Sequence, residues 1–234
     1  MTNCSNNCVT CIFKSLSLFD GLLKSDLDIL ESNRKSLIFD KGEIIYKEGM
    51  KPHELFCLNA GKVKIVKSCS NKKDKQVIVD LKKPVDFIGF NDLLSDSAYQ
   101  DTAITIEKSN LCVIEKKDLF KVIHRNKDFA KKIICNQANE IQKRNNRLVT
   151  LTLKNMESRL CNTLLLLADI YGVSNNGTIK VTLNRSDLAN LSNMITANAI
   201  RNLSKLVNDG IIELMGKDIR LINIQKIKSI AALN

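Results

Sequence analysis

The chain has 234 residues, of which 44% are hydrophobic and 26% charged, a composition typical of a globular protein with a real core and one or two domains. No apolar run approaches the roughly 18 residues of a membrane span, and Met1–Thr10 lacks the basic start and apolar stretch of a secretory signal, so we expect a cytoplasmic protein that does not associate with membranes. The 36 basic residues outnumber the 25 acidic ones for a net charge of +11, which favours acidic partners, nucleic acid first.

Residues 1–18 form a polar arm that carries Cys4, Cys8 and Cys11, three of the eight cysteines of the chain. A reducing compartment disfavours structural disulfides, so the spacing of the cysteines matters more than their number. Thiolates separated by three and two residues can hold a metal ion or an iron–sulfur cluster; the alternative is a patch of regulatory thiols without metal. Three further cysteines have apolar sequence neighbours and are predicted core residues: Cys57, Cys135 and Cys161.

Residues 19–126 are predicted to form an antiparallel β-sandwich or barrel that acts as a sensor domain. It opens with a helix over Ser25–Arg34, with Ser25 as its cap. Short segments rich in β-branched and aromatic residues follow, and turns such as Lys41-Gly42 and Ala60-Gly61 separate them. The predicted strands are Ser36–Phe39, Glu43–Tyr46, Glu54–Leu58, Lys62–Val66, Gln76–Leu81, Thr102–Glu107 and Asn110–Ile114.

After Lys116 the pattern becomes helical again, first with a short helix over Lys117–His124. A long helix is predicted over Asp128–Leu153, without Gly or Pro, and we assign residues 127–153 to dimerisation because its apolar stripe is narrow, as in a two-stranded seam. The alternative is a helix packed only on its own domain. The stripe consists of Phe129, Ile133, Ile134, Ala138, Ile141, Leu148 and Leu151.

Residues 154–234 are predicted to form a DNA-binding domain with a helix-turn-helix and a wing. A helix over Arg159–Tyr171 and a short strand over Lys180–Leu183 precede two closely spaced helices, Arg185–Ser192 and Thr196–Asn208. Asn184 is the expected cap of the first of these two helices, and Asn193 tolerates the positive φ of the turn.

Gly210 ends the second helix, and a hairpin of Ile211–Met215 and Ile219–Ile224 follows it. This order of elements places the second helix in a DNA major groove, whereas the alternative is an ordinary helical hairpin within a core. The candidate DNA-binding residues are Arg185, Thr196, Ala197, Asn198, Ile200, Arg201 and Lys205.

Several short motifs carry a resemblance to the Crp/Fnr transcription regulators over nearly the whole chain. The motifs are Lys41-Gly42-Glu43, Lys47-Glu48-Gly49, Gly61-Lys62-Val63-Lys64, Phe87-Ile88-Gly89, Glu157-Ser158-Arg159-Leu160 and Arg185-Ser186-Asp187-Leu188-Ala189-Asn190. The resemblance implies an α+β fold with an N-terminal antiparallel β-roll, a long dimerisation helix and a C-terminal winged helix-turn-helix. It also implies a homodimeric transcription regulator that binds double-stranded DNA and contacts RNA polymerase. We expect no enzyme, since the sequence shows no nucleophile–base–orienter set.

The recognition helix departs from the family pattern of Glu, a small residue and Arg, because Ala197, Ile200 and Arg201 occupy those positions. Arg201 can still bind guanine through O6 and N7, whereas Ala197 can only touch a thymine methyl group. The operator is therefore expected to differ from the usual family operator. Ile195 stands where the family prefers a capping Ser or Thr, which leaves Thr196 as the candidate cap.

The sensor region departs from the pattern of cyclic-AMP-binding members, which carry an Arg-Ser pair on the phosphate-binding loop. The corresponding residues 89–102 contain three Asp and no Arg or Lys, so we expect that the protein does not bind cAMP, whose phosphate needs a positive partner.

Oxygen-sensing Fnr-type members combine an N-terminal cysteine cluster with one distant cysteine, and Cys112 stands at that distant position. Cys8 and Cys11 match the paired ligands, while Cys4 replaces a ligand that falls near Ser17. The resemblance thus implies an iron–sulfur cluster on Cys4, Cys8, Cys11 and Cys112. The alternative is a regulator with an unknown small effector in the β-roll and no metal.

Overall fold

The computed structural model describes residues 17–69 and 72–233. The chain divides into two compact units, and the division follows Glu140 within the long helix α4. The helices of the described residues are α1 (Lys24–Glu31), α2 (Phe90–Ser95), α3 (Lys116–Arg125), α4 (Lys127–Leu153), α5 (Met156–Tyr171), α6 (Arg185–Leu191), α7 (Thr196–Asn208) and α8 (Ile224–Ala232). The strands are β1 (Lys35–Phe39), β2 (Ile44–Tyr46), β3 (Glu54–Ala60), β4 (Val63–Cys69), β5 (Lys72–Lys82), β6 (Phe87–Ile88), β7 (Thr102–Thr105), β8 (Ser109–Glu115), β9 (Ile212–Met215) and β10 (Asp218–Leu221).

The first unit is a roll of two antiparallel four-stranded sheets, with strand orders β1-β8-β3-β6 and β2-β7-β4-β5. Side chains alternate between the two faces of a strand, and the strands of the first sheet therefore contribute to two cores. Phe56 and Leu58 of β3 pack between the sheets with Leu111 and Val113 of β8. The predicted α+β class, with an antiparallel roll, a long helix and a winged helix-turn-helix, is confirmed.

The second core of this unit lies between the outer face of the first sheet and the helices. Leu55 of β3 and Ile114 of β8 meet Leu27 and Leu30 of α1 there, and Phe129 from the first turn of α4 joins them. The start of α4 is thus fixed to the roll by apolar burial, the dominant favourable term in folding.

Two details of the predicted first unit are wrong. Helix α1 begins at Lys24, and Leu23 precedes it without a side-chain cap. Ser25 lies inside the first turn, where its hydroxyl accepts a hydrogen bond from Arg125 instead of capping the helix. Cys135, a predicted core residue, is exposed on α4, because only Phe129 and Ile133 of that helix are buried.

The second unit contains the helix-turn-helix, a two-stranded wing of β9 and β10, and a C-terminal helix. Helix α8 packs on α5, where the buried Ser158 hydroxyl donates to the carbonyl of Ile230 at 2.8 Å. The predicted strand Ile219–Ile224 is wrong at its end, since Asn223 caps α8 by accepting from the Lys226 amide at 2.9 Å.

The predicted strand Lys180–Leu183 is also wrong. Isolated bridges join Val173 to Ile179 and Thr178 to Arg220, and this pairing ends before Lys180. Val181 and Leu183 are nevertheless buried, so an extended segment without a ladder produces the alternating pattern that resembles a strand.

Candidate nucleic-acid interface

The turn between α6 and α7 is fixed by local polar contacts. Asn184 caps α6, and its side chain accepts from the Asp187 amide at 2.6 Å, which satisfies one of the otherwise unpaired amides of a helix start. Asn193 has a φ of 50°, a left-handed conformation that Asn adopts more readily than most residues. The buried Ser192 hydroxyl donates to Thr163 on α5 at 2.9 Å, so the turn is fastened to the helix beneath it.

Helix α7 buries one face and leaves the opposite face in solvent. Ala199, Leu203 and Leu206 are buried at the three- and four-residue spacing of a helix. Four of the sequence-predicted contact residues lie together on the exposed side: Thr196, Ala197, Ile200 and Arg201.

The N-terminal half of α7 thus has the exposure that base contacts in a major groove require. The expected Thr196 cap is not formed, because Ile195 is the N-cap residue and no side chain of a described residue caps the helix start.

The other three candidates are engaged with neighbouring elements of the same unit. Arg185 donates through Nη2 to the carbonyl of Gly216 at 2.8 Å, which connects α6 to the tip of the wing. Lys205 forms an ion pair with Glu157 of α5 at 2.6 Å, and the hydrogen bond to this carboxylate raises the pKa of the ammonium. The Asn198 amide donates to the sulfur of Met156 at 3.3 Å.

Arg201 differs from these three, because it makes no hydrogen bond or ion pair with any residue in the described part of the chain. Its guanidinium therefore breaks no contact with a described residue when it binds a base edge or a phosphate.

The wing adds one basic residue that the sequence reasoning did not single out. Gly216 has a φ of 63° and lets the chain reverse between β9 and β10. The next residue, Lys217, is exposed at the tip. A Gly-Lys turn in a hairpin that follows a recognition helix is the signal that would have identified it.

The roll contains a pair of stacked tyrosines at the segment of residues 89–102. The rings of Tyr46 and Tyr99 lie 3.7 Å apart, and the Tyr46 hydroxyl donates to Asp101 at 2.8 Å. Burial raises the pKa of both phenols, and the nearby carboxylates of Asp92 and Asp101 raise it further. A Cβ atom at Gly89 would lie 2.6 Å from the Tyr99 ring, so only glycine fits beside it.

Of the four predicted metal ligands, Cys112 lies on β8 and is half-buried. The other three, Cys4, Cys8 and Cys11, lie outside the described residues. Within residues 17–69 and 72–233, no three side chains of His, Cys, Asp or Glu come together as a metal site. Cys161, a predicted core residue, is buried in α5, and burial raises the pKa of its thiol to about 12.

Comparisons with known proteins agree with both units. Residues 37–126 match the family described as cyclic nucleotide-binding domain, and residues 158–230 match the Crp-like helix-turn-helix domain. The "Electron transport regulator A" of Shewanella oneidensis is 27% identical over 98% of this chain and 92% of its own length. The "Anaerobic regulatory protein" of Bacillus subtilis is 27% identical over 82% of both chains. The structure of FixK2 from Bradyrhizobium japonicum superposes with a TM-score of 0.76 at 21% identity, over 86% of this chain and 98% of that one.

A cyclic-nucleotide-binding-like roll followed by a winged helix-turn-helix defines a class of DNA-binding transcription regulators. This chain belongs to the Crp/Fnr family of that class. The names of both relatives describe regulators. In the described part of the chain, no helix combines the length and apolarity needed to cross a membrane.

Proposed function

We propose that the protein is a homodimeric, sequence-specific regulator that does not respond to cAMP and senses redox conditions through its cysteines. In this proposal residues 1–18 are the sensing arm, 19–126 the sensor domain, 127–153 the dimerisation helix and 154–234 the DNA-binding domain. RNA polymerase is the partner that the family implies. The observation that carries the proposal is the exposed face of α7, with Arg201 unengaged by any described residue.

Arg201 is the residue on which base recognition depends in this proposal. Arg201→Ala is expected to cost about 1–3 kcal/mol in binding to the preferred duplex and to relax one base position per half-site. The measurement is selection of bound sequences from a random duplex pool, followed by titration of the selected site. Lys228→Ala, at an exposed position on α8, is the matched control and should leave the preference unchanged. An equal loss on all sequences would make Arg201 a phosphate contact and contradict its role in base readout.

The absence of a cAMP response is supported by the charges around the tyrosine pair. Asp92 and Asp101 place carboxylates beside Tyr46 and Tyr99, where the phosphate of a cyclic nucleotide would require a positive group. We expect calorimetric titration with cAMP to give a dissociation constant weaker than about 1 mM, or about 4 kcal/mol. Micromolar binding would contradict this part of the proposal.

The iron–sulfur proposal assigns Cys4, Cys8, Cys11 and Cys112 as ligands. Thiolates are the donors that such clusters require, and the half-buried position of Cys112 leaves its thiol partly accessible. A bound cluster would supply an oxygen-labile redox centre. The test is iron and sulfide analysis of protein purified without oxygen, for the unchanged chain and for Cys112→Ser. Absence of both elements, with unchanged DNA affinity in the variant, would remove the cluster.

A second candidate is a small effector bound in the roll without any metal. One observation favours it: the Tyr99 hydroxyl is buried and has no hydrogen-bond partner among the described residues. Such a group costs free energy unless a ligand or water satisfies it. A colourless protein that binds DNA, and whose affinity changes with an added cell extract of small molecules but not in a Tyr99→Phe variant, would support this candidate.

A further inference from the structure

Two cysteines from distant parts of the chain lie directly opposite each other in the first sheet of the roll. Strand β3 pairs with β8 in the register that sets Cys57 against Cys112. Opposed residues of an antiparallel pair have Cα atoms about 4.5–5.5 Å apart and project their side chains to the same face. The two side chains therefore lie next to each other on one face of the sheet, although 55 positions separate them in the sequence.

The register also shows on which face of the first sheet the two cysteine side chains lie. Phe56 and Val113, which neighbour the two cysteines along their strands, face the core between the sheets. Leu55 and Ile114, one step further, face the core beneath the helices. Because side chains alternate along a strand, Cys57 and Cys112 lie on the face toward the helices. Cys57 packs against the edge of that core, and both cysteines are half-buried.

A positive charge stands beside the pair. The guanidinium of Arg34 donates through Nη1 to the sulfur of Cys112 at 3.6 Å. This guanidinium stabilises a sulfur ligand that carries negative charge. It also offsets the repulsion that two adjacent thiolates would otherwise experience.

We propose that Cys57 and Cys112 together form a two-thiolate site for a thiophilic metal ion. Cys57 is then a ligand that neither the N-terminal spacing nor the family resemblance assigns. Where the metal is the iron of the proposed cluster, this inference rests on the proposed function, and Cys57 is an additional candidate ligand beside Cys112. The two thiolates leave the remaining coordination positions to other donors, and soft ligands of this kind select soft or borderline metals.

The experiment uses the full chain with the arm thiols removed, Cys4→Ser/Cys8→Ser/Cys11→Ser, kept reduced and titrated with Cd²⁺. We expect a thiolate-to-cadmium charge-transfer band in the ultraviolet that saturates at one equivalent. Adding Cys57→Ser or Cys112→Ser removes one of two soft ligands. Each should weaken binding by at least about 10-fold, since loss of even a group that only orients a ligand costs about 10–100-fold in metal affinity. Cys135→Ser is the matched control, because Cys135 is exposed on α4, and it should leave the titration unchanged.

The variant Cys57→Val distinguishes the loss of a metal ligand from a loss of packing, because valine fills a similar volume without a thiol. The proposal requires this variant to fold, by circular dichroism, and still to lose the band. A band unaffected by the loss of Cys57, or no band at all, would overturn the proposal. A different result would show that only the proposed iron–sulfur cluster is wrong. The unchanged chain would then hold no iron, while cadmium binding would still depend on both Cys57 and Cys112.

Discussion

Val85 shows how a single residue in the roll carries backbone strain. Its φ of 88° lies in the left-handed region, which is a genuine outlier for a β-branched residue. The strain persists because the turn after Pro84 is held on both sides of the loop, with the Val85 amide donating to Leu58 at 2.8 Å and the Leu58 amide donating to Asp86 at 3.0 Å. Strain of this kind costs about 1–3 kcal/mol.

Val85→Gly is therefore expected to raise the free energy of unfolding by about 1 kcal/mol, after allowance for the greater freedom of glycine in the unfolded chain. Urea unfolding of the full chain measures the change. Asn193→Gly is the control, because Asn already tolerates a positive φ and little strain is released there. A Val85→Gly protein less stable than the unchanged chain would show that the valine side chain contributes more by packing than it costs in strain.

Asp118 gives the roll a pH dependence that can be assigned to one carboxylate. The side chain is buried and accepts from Asn33 at 2.8 Å and from Lys121 at 3.3 Å. Burial raises the pKa of the carboxyl, but the hydrogen bonds from Asn33 and Lys121 lower it more, and the pKa lies below its ordinary value. A lowered native pKa adds stability above the unfolded pKa of about 3.9, and this stability is lost as the pH falls through the native pKa.

Asp118→Asn should accordingly reduce the free energy of unfolding at pH 7 by about 1–3 kcal/mol, because two donors lose a charged acceptor. The deficit should shrink as the pH falls below about 4, where the carboxylate of the unfolded chain becomes protonated, and should be smallest once the pH lies below the lowered native pKa. Urea titrations at a series of pH values test this, and a deficit that is constant with pH would exclude the carboxylate charge as the cause.

At the scale of elements, α4 presents an apolar seam to solvent beyond its first turns. Ile134, Ile141 and Leu148 recur every seven residues and are 68%, 58% and 60% exposed. Ala138 and Asn145 stand four residues after the first two, which gives the alternating spacing of a two-stranded coiled coil. One polar residue in such a seam fixes register and the number of strands at a cost in stability.

Ile134→Lys/Ile141→Lys is expected to convert the proposed dimer to monomers, because two buried charges on each copy would face their counterparts across the seam. Sedimentation equilibrium measures the mass. Asn139→Lys/Asn146→Lys adds the same charges at exposed positions outside the seam and should leave the mass unchanged. A dimer that survives in the first variant would place the dimer contact elsewhere.

The elements that were predicted correctly have a long run of regularly spaced apolar residues or clear turn residues at both ends. Helix α7 begins and ends as predicted, since apolar positions at helical spacing lie between a turn at Asn193 and the glycine at position 210. Strand β6 has two residues and α2 six, too few to show a period. The predicted strand extended into the start of α8, because Ile222 and Ile224 continue the apolar residues of β10. The structure ends the strand earlier, and Asn223 caps α8.

At the scale of the molecule, the sequence predicted which residues of α7 are exposed. It did not predict the contacts that Arg185 and Lys205 make with other elements. The partners of Arg185 and Lys205 are Gly216 and Glu157, which lie tens of residues away and come close only through the packing of α5 and the wing. The pairing of Cys57 with Cys112 depends in the same way on strand register. Local spacing predicts which residues share a helix face, whereas contacts between distant segments require the fold.

The net charge of +11 acts on DNA binding through individual phosphate contacts, and Lys217 at the wing tip is expected to be one of them. Each phosphate neutralised contributes about 0.9 to the slope of log K against log salt concentration. Lys217→Ala in a dimer removes two such contacts, so the magnitude of the slope should fall by about 2. Titration of one operator and one unrelated duplex at several salt concentrations measures this.

Binding to both duplexes should weaken alike in Lys217→Ala, in contrast to Arg201→Ala, because a phosphate contact carries no sequence information. The Lys228→Ala control on α8 should keep the original slope. A slope unchanged in Lys217→Ala would show that the wing tip does not reach the phosphate backbone, and a loss confined to the operator would show instead that Lys217 reads a base.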